Sequence, residues 1–273
     1  MNSMQVKDRL RNYSKSKNID FNIALKNYVF ERFILRLSKS TYVNNFIIKG
    51  GYLLSTLFGL ENRDTMDIDS SIKGTDFTKD NLFAIFNEII NIDLNDDISF
   101  ELLDVSEIRS NDEYGGFRFF LRFKFDTIIE NFRIDVATGD PITPSAIRSK
   151  YKLMLEDKTV FLWTYNLETV LVEKLESILS KLELSSRMKD YYDVYYIMNY
   201  MFDLVDVNLL KDAADATFKK REFYYDVKMF EIIRDSLNLK KKWISYSRKY
   251  KYANNIKYEE VIETIYKLIK YIY

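Results

Sequence analysis

A chain of 273 residues with 47% hydrophobic and 30% charged residues, 7 Gly and 2 Pro can bury a sizeable core, which excludes disordered, fibrous and low-complexity architectures. Lys plus Arg and Asp plus Glu each total 41, so overall charge selects no polyanionic partner. Cys and His are both absent, which excludes disulfides, thiolate zinc sites, cysteine nucleophiles, Ser/His triads and imidazole bases. Any chemistry must run on carboxylates, Lys, Arg, hydroxyls and backbone amides.

The opening MNSMQVKDRLRNYSKSK is polar and mixed in charge, without the apolar core of a signal peptide. No stretch of the chain approaches the roughly 18 to 20 consecutive apolar residues of a membrane helix. The expectation is a cytoplasmic protein with no membrane partner. Residues 20–40 place apolar groups at helical spacing behind a capping Asp20, and predict an amphipathic helix. Phe46-Ile47-Ile48 reads as a short strand ending at the Gly50-Gly51 turn, with a helix over Tyr52 to Phe58. Met66 to Ile72 alternates as a half-buried strand does, and 78–90 returns to helical spacing. Strands are expected over 98–108, 116–126 and 131–138, the first two joined through Asn111-Asp112-Glu113-Tyr114-Gly115.

Pro141 and Pro144 mark a junction. It predicts an α+β fold: a mixed-sheet domain over residues 1–145 and a mainly helical domain over 146–273. Helices are expected over 167–182, 187–201, 206–220, 226–236 and 257–272. Thr217 to Tyr252 carries eleven Lys and Arg against four Asp and Glu. Within it Lys240-Lys241-Lys242-Trp243, Tyr246 and Arg248-Lys249-Tyr250-Lys251-Tyr252 interleave cations with rings. Such a surface could track a phosphate backbone and stack bases; it also reads as a solvated helix whose rings lie in the core.

The stretch richest in chemistry is Lys49-Gly50-Gly51-Tyr52-Leu53-Leu54 followed by Arg63-Asp64-Thr65-Met66-Asp67-Ile68-Asp69. On a strand, residues two apart face one side about 6 to 7 Å apart, so Asp67 and Asp69 present two carboxylates to one point. Hard oxygen ligands of that kind suit Mg²⁺, which takes one or two carboxylates together with substrate phosphates. Gly50 and Gly51, without side chains, let the backbone approach a ligand, and amides at the start of the next helix favour an anion.

A strand ending in Gly-Gly, a short helix and a strand carrying Asp-x-Asp is the layout of polymerase-beta-type nucleotidyltransferases. The Arg63-x-Thr65-x-Asp67-x-Asp69 form resembles the AbiEii toxin family, type IV abortive-infection toxins related to the MenT tRNA-modifying toxins. Three later stretches continue the resemblance: Phe132 to Asp140 around Asp135, Val172-Glu173-Lys174-Leu175, and Arg187 to Val194 with Asp190 and Asp193. The resemblance implies that Asp67, Asp69 and Asp135 hold Mg²⁺ or Mn²⁺. It implies that Gly50, Gly51, Arg63, Thr65 and Lys174 bind the NTP, and that Asp190 or Asp193 assists transfer. It further implies transfer of NMP from an NTP to RNA, in particular the 3′ acceptor end of tRNA, in defence against phage, with a separately encoded antitoxin. By themselves Glu173, Lys174 and Asp190 also read as ordinary helix-surface charges, Asp135 as a solvent-facing strand residue, and Arg63 as a partner of Asp64 or Asp67. The same site would serve nucleotidyl or phosphoryl transfer to a protein, or a nucleotide-binding regulator without turnover.

Overall fold

The computed structural model describes residues 2–108 and 115–273. Residues 111–114 of the expected β-connection lie outside the described residues. The chain divides into two compact units: Met1–Gly139 with Ile147–Thr164, and Asp140–Ala146 with Tyr165–Tyr273.

In the first unit, helix α1 (Ser3–Lys17) starts with a capping box in which Asn2 and Gln5 bond each other's backbone. Helix α2 (Phe21–Lys39) follows, its first turn capped by the Asp20 carboxylate as expected. Seven strands form one mixed sheet: β1 (Phe46–Lys49), β2 (Ile68–Ile72), β3 (Ser99–Ile108), β4 (Gly116–Phe125), β5 (Ile128–Ala137), β6 (Ile147–Lys152) and β7 (Thr159–Thr164). Their order is β3-β4-β5-β2-β1-β7-β6. β2 runs parallel to β5 and β1 parallel to β7, and the other neighbours are antiparallel. Helices α3 (Gly50–Phe58) and α4 (Lys79–Ile90) complete the unit, α3 against β1 and β2 and α4 against β3 and α2.

Aromatic packing dominates this core. Phe86 of α4 stacks on Phe119 of β4 with ring centroids 3.8 Å apart, while Phe33 of α2 meets Phe86, Phe100 and Phe132. Each such ring removes a large apolar area from water, which pins the helices to the strands that carry the site. Charged side chains are buried with them, Arg36 and Glu31 among the most deeply. Arg36 donates to Asp96 and to the Ile98 carbonyl, and Glu31 accepts from the Tyr151 hydroxyl and the Met154 amide, both at 2.8 Å.

The second unit is helical, as expected: α5 (Leu167–Lys181), α6 (Met188–Tyr200), α7 (Val207–Lys220), α8 (Val227–Asp235), α9 (Leu237–Lys249) and α10 (Tyr258–Ile272). Asn166 caps α5 and also holds the carbonyls of Thr143 and Ser145, which ties the 140–146 segment to this unit. Trp243 of α9 is buried and donates to the Ile256 carbonyl at 2.9 Å. No helix among the described residues is long and apolar enough to cross a membrane.

Four elements go beyond those expected from the sequence. α1 buries only Val6 and Leu10 among apolar residues, too thin a stripe to announce a helix. β6 and β7 are short, and β6 is an edge strand on which only Tyr151 is buried. α9 lies in the basic stretch, where Leu239, Trp243 and Tyr246 form the buried face, Lys242 is half-buried on the Glu183 and Ser185 carbonyls, and Lys240, Lys241, Arg248 and Lys249 face solvent. For Trp243 and Tyr246 the reading as core rings of a solvated helix is therefore the right one.

Candidate active site

Local backbone geometry builds the first part of the site. β1 ends at Lys49, and Gly50 opens α3 in the left-handed region at φ +61°. A Cβ on Gly50 would lie 2.2 Å from Asp69 Oδ2, and one on Gly51 would lie 2.7 Å from Thr65 Oγ1. Only glycine tolerates both the conformation and the contact at position 50. The pair is thus the first turn of α3 rather than a separate turn before it. The Gly51 amide donates to a carboxylate, its nitrogen 3.3 Å from Asp69 Oδ2.

Asp69 stands opposite Lys49 on one neighbouring strand and opposite Asp135 on the other. Burial, then the charges of Asp67 and Asp135, push its carboxyl above the usual range, against the Gly51 amide and the Lys49 charge. The three aspartates are therefore electrostatic neighbours. β2 begins only at Ile68, so Asp67 sits one residue before the strand, where the Thr65 hydroxyl donates to its carbonyl at 3.1 Å. Arg63 is buried and donates to the Asp64 carbonyl.

Two arginines, to which the sequence reading gave no role, engage the other carboxylates. Arg118 of β4 makes a bidentate pair with Asp135 of β5, at 2.8 Å (Nε to Oδ1) and 2.7 Å (Nη2 to Oδ2). Arg133 of β5 donates to Asp67 Oδ2 at 2.8 Å through Nη2 and at 3.2 Å through Nε. Among the described residues, no group of three or more His, Cys, Asp or Glu side chains is gathered closely enough to hold a metal ion. The expected convergence of Asp67, Asp69 and Asp135 on one point is absent from this arrangement, and the arginine pairs give the physical reason. Their chemistry still fits a hard divalent cation: Asp69 and Asp135 are register partners on neighbouring strands, Asp67 lies two residues before Asp69, and the Asp69 carboxyl is crowded by the charge of the other two.

The helical unit gathers the remaining candidates. Lys174 and Ser177 lie one turn apart on α5, and Asp190 and Asp193 one turn apart on α6. Lys174 Nζ lies 2.8 Å from Asp190 Oδ1 and 2.7 Å from Asp193 Oδ2, and Ser177 donates to Asp190 at 3.2 Å. Lys174, Asp190 and Asp193 are 8%, 2% and 0% exposed, so they are not ordinary surface charges. Burial would raise the Asp190 carboxyl, but the charges of Lys174 and Arg187 outweigh it and hold the group far below the usual carboxylate range. Glu173 belongs to a separate cluster, where Arg221 pairs with Glu173, Glu176 and Asp140.

Residues 32–263 match the family model described as nucleotidyl transferase AbiEii toxin, type IV TA system. The chain belongs to that family. As an AbiEii protein it is a nucleotidyltransferase-type toxin, of a kind paired with a separate antitoxin and taking an NTP. Two solved structures share its fold at 13% identity. A putative nucleotidyltransferase from H. pylori aligns over 93% of this AbiEii chain and 96% of its own, with a TM-score of 0.54. JHP933 from Helicobacter pylori aligns over 92% and 91%, with a TM-score of 0.51. No curated protein matches the chain.

Proposed function

We propose that this AbiEii protein transfers a nucleoside monophosphate from an NTP to the end of an RNA, with tRNA as the acceptor, in the cytoplasm and in defence against phage. The reading rests chiefly on one arrangement: Asp69 lies against the Gly50-Gly51 start of α3, one strand from Asp135.

The reaction forms a bond from the acceptor hydroxyl oxygen to the α-phosphorus and breaks the bond to the oxygen that bridges to the β-phosphorus. Pyrophosphate leaves, and the hydroxyl proton passes to water. Asp67, Asp69 and Asp135 would hold Mg²⁺ or Mn²⁺, which supplies positive charge to the phosphates and to the attacking oxygen. Gly50 and Gly51 would hold the triphosphate through amides at a helix start, where the dipole favours an anion. Buried Arg63 and Thr65 fix the segment that carries Asp67. Lys174, positioned by Asp190 and Asp193, would be the cation for the triphosphate, with Asp190 or Asp193 assisting transfer. The exposed cations of α9 and the 248–251 segment support a polymeric anionic acceptor.

The test incubates the protein with bulk tRNA, Mg²⁺ and each α-labelled NTP in turn, beside Asp69→Ala, and resolves the RNA on a denaturing gel. Label in tRNA with the wild type alone supports the reading. Label in protein instead identifies a protein acceptor, and nucleotide binding without any labelled product overturns transfer altogether.

A further inference from the structure

We infer that Arg118 and Arg133 are resident counter-ions of the carboxylate site: a divalent cation displaces them from Asp135 and Asp67, and they then turn to the phosphates of the nucleotide. Metal and triphosphate thereby bind cooperatively. The inference rests on the reading of Asp67, Asp69 and Asp135 as metal ligands.

Geometry carries the first half. Arg118 is the register partner of Asp135 across β4 and β5, and both of its donating nitrogens go to that one carboxylate. Arg133 precedes Asp135 by two residues on β5, so it shares a sheet face with it, and it reaches to Asp67. Lys49 stands opposite Asp69. Each of the three carboxylates therefore has a cation beside it before any ion arrives. A dication alone must compete with two guanidinium groups and leaves an excess of positive charge. A dication arriving with a triphosphate meets neither difficulty, because the displaced guanidiniums gain an anion of matching geometry.

Accessibility carries the second half. The Arg118 and Arg133 side chains are 30% and 42% exposed, against 15% and 26% for Asp135 and Asp67. The guanidiniums lie on the solvent side of the carboxylates and can swing away without opening the core. Arg36, by contrast, is 1% exposed where it pairs with Asp96 and can only be structural. Arg118 and Arg133 are positioning residues for the metal and binding residues for the phosphates.

The test is a pair of titrations on the full chain. Mn²⁺ alone is titrated by electron paramagnetic resonance, and the preformed Mn²⁺·triphosphate complex, made with inorganic triphosphate, by calorimetry. Arg118→Gln and Arg133→Gln are each expected to bind Mn²⁺ about tenfold more tightly than wild type, and Mn²⁺·triphosphate about tenfold more weakly. A merely structural ion pair would not move the two affinities in opposite directions. Mn²⁺ affinity that is unchanged or weaker in both variants overturns the inference. Arg118→Lys, which keeps the charge and loses the fork, is expected to fall between wild type and Arg118→Gln, and it carries the test if the glutamine variant does not fold. Asp69→Asn is expected to abolish Mn²⁺ binding. If it binds Mn²⁺ as wild type does, the assignment of the metal to these carboxylates fails, and the counter-ion role falls with it.

Discussion

Replacing Gly50 with alanine should damage stability and catalysis together, and more severely than the same change at Gly51. At position 50 the added methyl group meets two separate obstacles. A non-glycine residue in the left-handed region, here φ +61°, costs about 1–2 kcal/mol. The new Cβ would also stand 2.2 Å from Asp69 Oδ2 and 2.8 Å from Asp69 Cβ, so the whole aspartate side chain must move, at about 1–3 kcal/mol of overpacking strain. The sum is about 2–5 kcal/mol, or about 4–20 °C in melting temperature at roughly 2–4 °C per kcal/mol. A displacement of Asp69 by about an ångström would lower transfer roughly a hundredfold. Gly51 is not in the left-handed region, and its added Cβ meets the Thr65 hydroxyl at 2.7 Å. That group can rotate, giving up its bond to the Asp67 carbonyl at about 1 kcal/mol. Calorimetric melting of both variants, with initial rates of labelled nucleotide transfer, tests the comparison. A Gly50→Ala protein that melts and turns over like wild type, or a Gly51→Ala protein as damaged as Gly50→Ala, refutes the reasoning.

Lys174→Met removes the buried cation shared by Asp190 and Asp193 and leaves Asp190 with its Arg187 pair. It should destabilise the protein by about 3–5 kcal/mol in urea unfolding, so its loss of transfer has to be read at a temperature where the variant is folded. Glu31 gives a pH-dependent effect. Burial pushes its carboxyl up to about 7, against hydrogen bonds from Tyr151 and Met154 and the charge of Arg32. The folded state therefore holds this proton more tightly than the unfolded chain. The contribution is fully present below pH 4.5 and is lost as pH rises towards about 7, roughly 3 kcal/mol in all. Subtracting Glu31→Gln from wild type in unfolding titrations at pH 5, 6, 7 and 8 should isolate that slope, and a flat difference would exclude it. Trp243→Phe keeps the ring in the α9 core but leaves the Ile256 carbonyl without its donor. It should cost about 1–3 kcal/mol in the same denaturant assay, with no change in nucleotide affinity.

Elements whose information is local could be read from the sequence. Asp20 and the apolar spacing behind it place α2 within a residue of its observed limits, and the Gly-Gly, Asp-x-Asp order locates the start of α3 beside β2. What escaped depends on partners far along the chain. β7 pairs with β1 across more than a hundred residues, Ile47 with Trp163, and nothing within TVFLWT announces that neighbour. Glu31 sits in an apolar helix as an apparent misfit, because Tyr151, which bonds it, is 120 residues away. Arg118 was within closer reach. β4 and β5 meet at a two-residue turn, Asp126-Thr127, with Asp126 at φ 49°, and that register alone sets Arg118 opposite Asp135. Reading the turn would have supplied the pairing. The helical period sets Asp190 and Asp193, three apart, on one face of α6, but the packing of α5 that brings Lys174 to them is tertiary. What the sequence could not show was that this face is buried.

The route of the chain bears on how the protein is made. It leaves the sheet after Gly139, contributes a short segment to the helical unit, returns for β6 and β7, and leaves again after Thr164. Until Thr164 has emerged from the ribosome, β1 lacks one of its two neighbours, and the strand leading into Gly50 is an open edge. A nascent toxin of this design cannot complete its sheet when its last predicted site aspartate on that sheet, Asp135, has been translated. Chain ends produced by premature termination between Asp135 and Thr164 would carry every carboxylate of the sheet site on an unfinished scaffold.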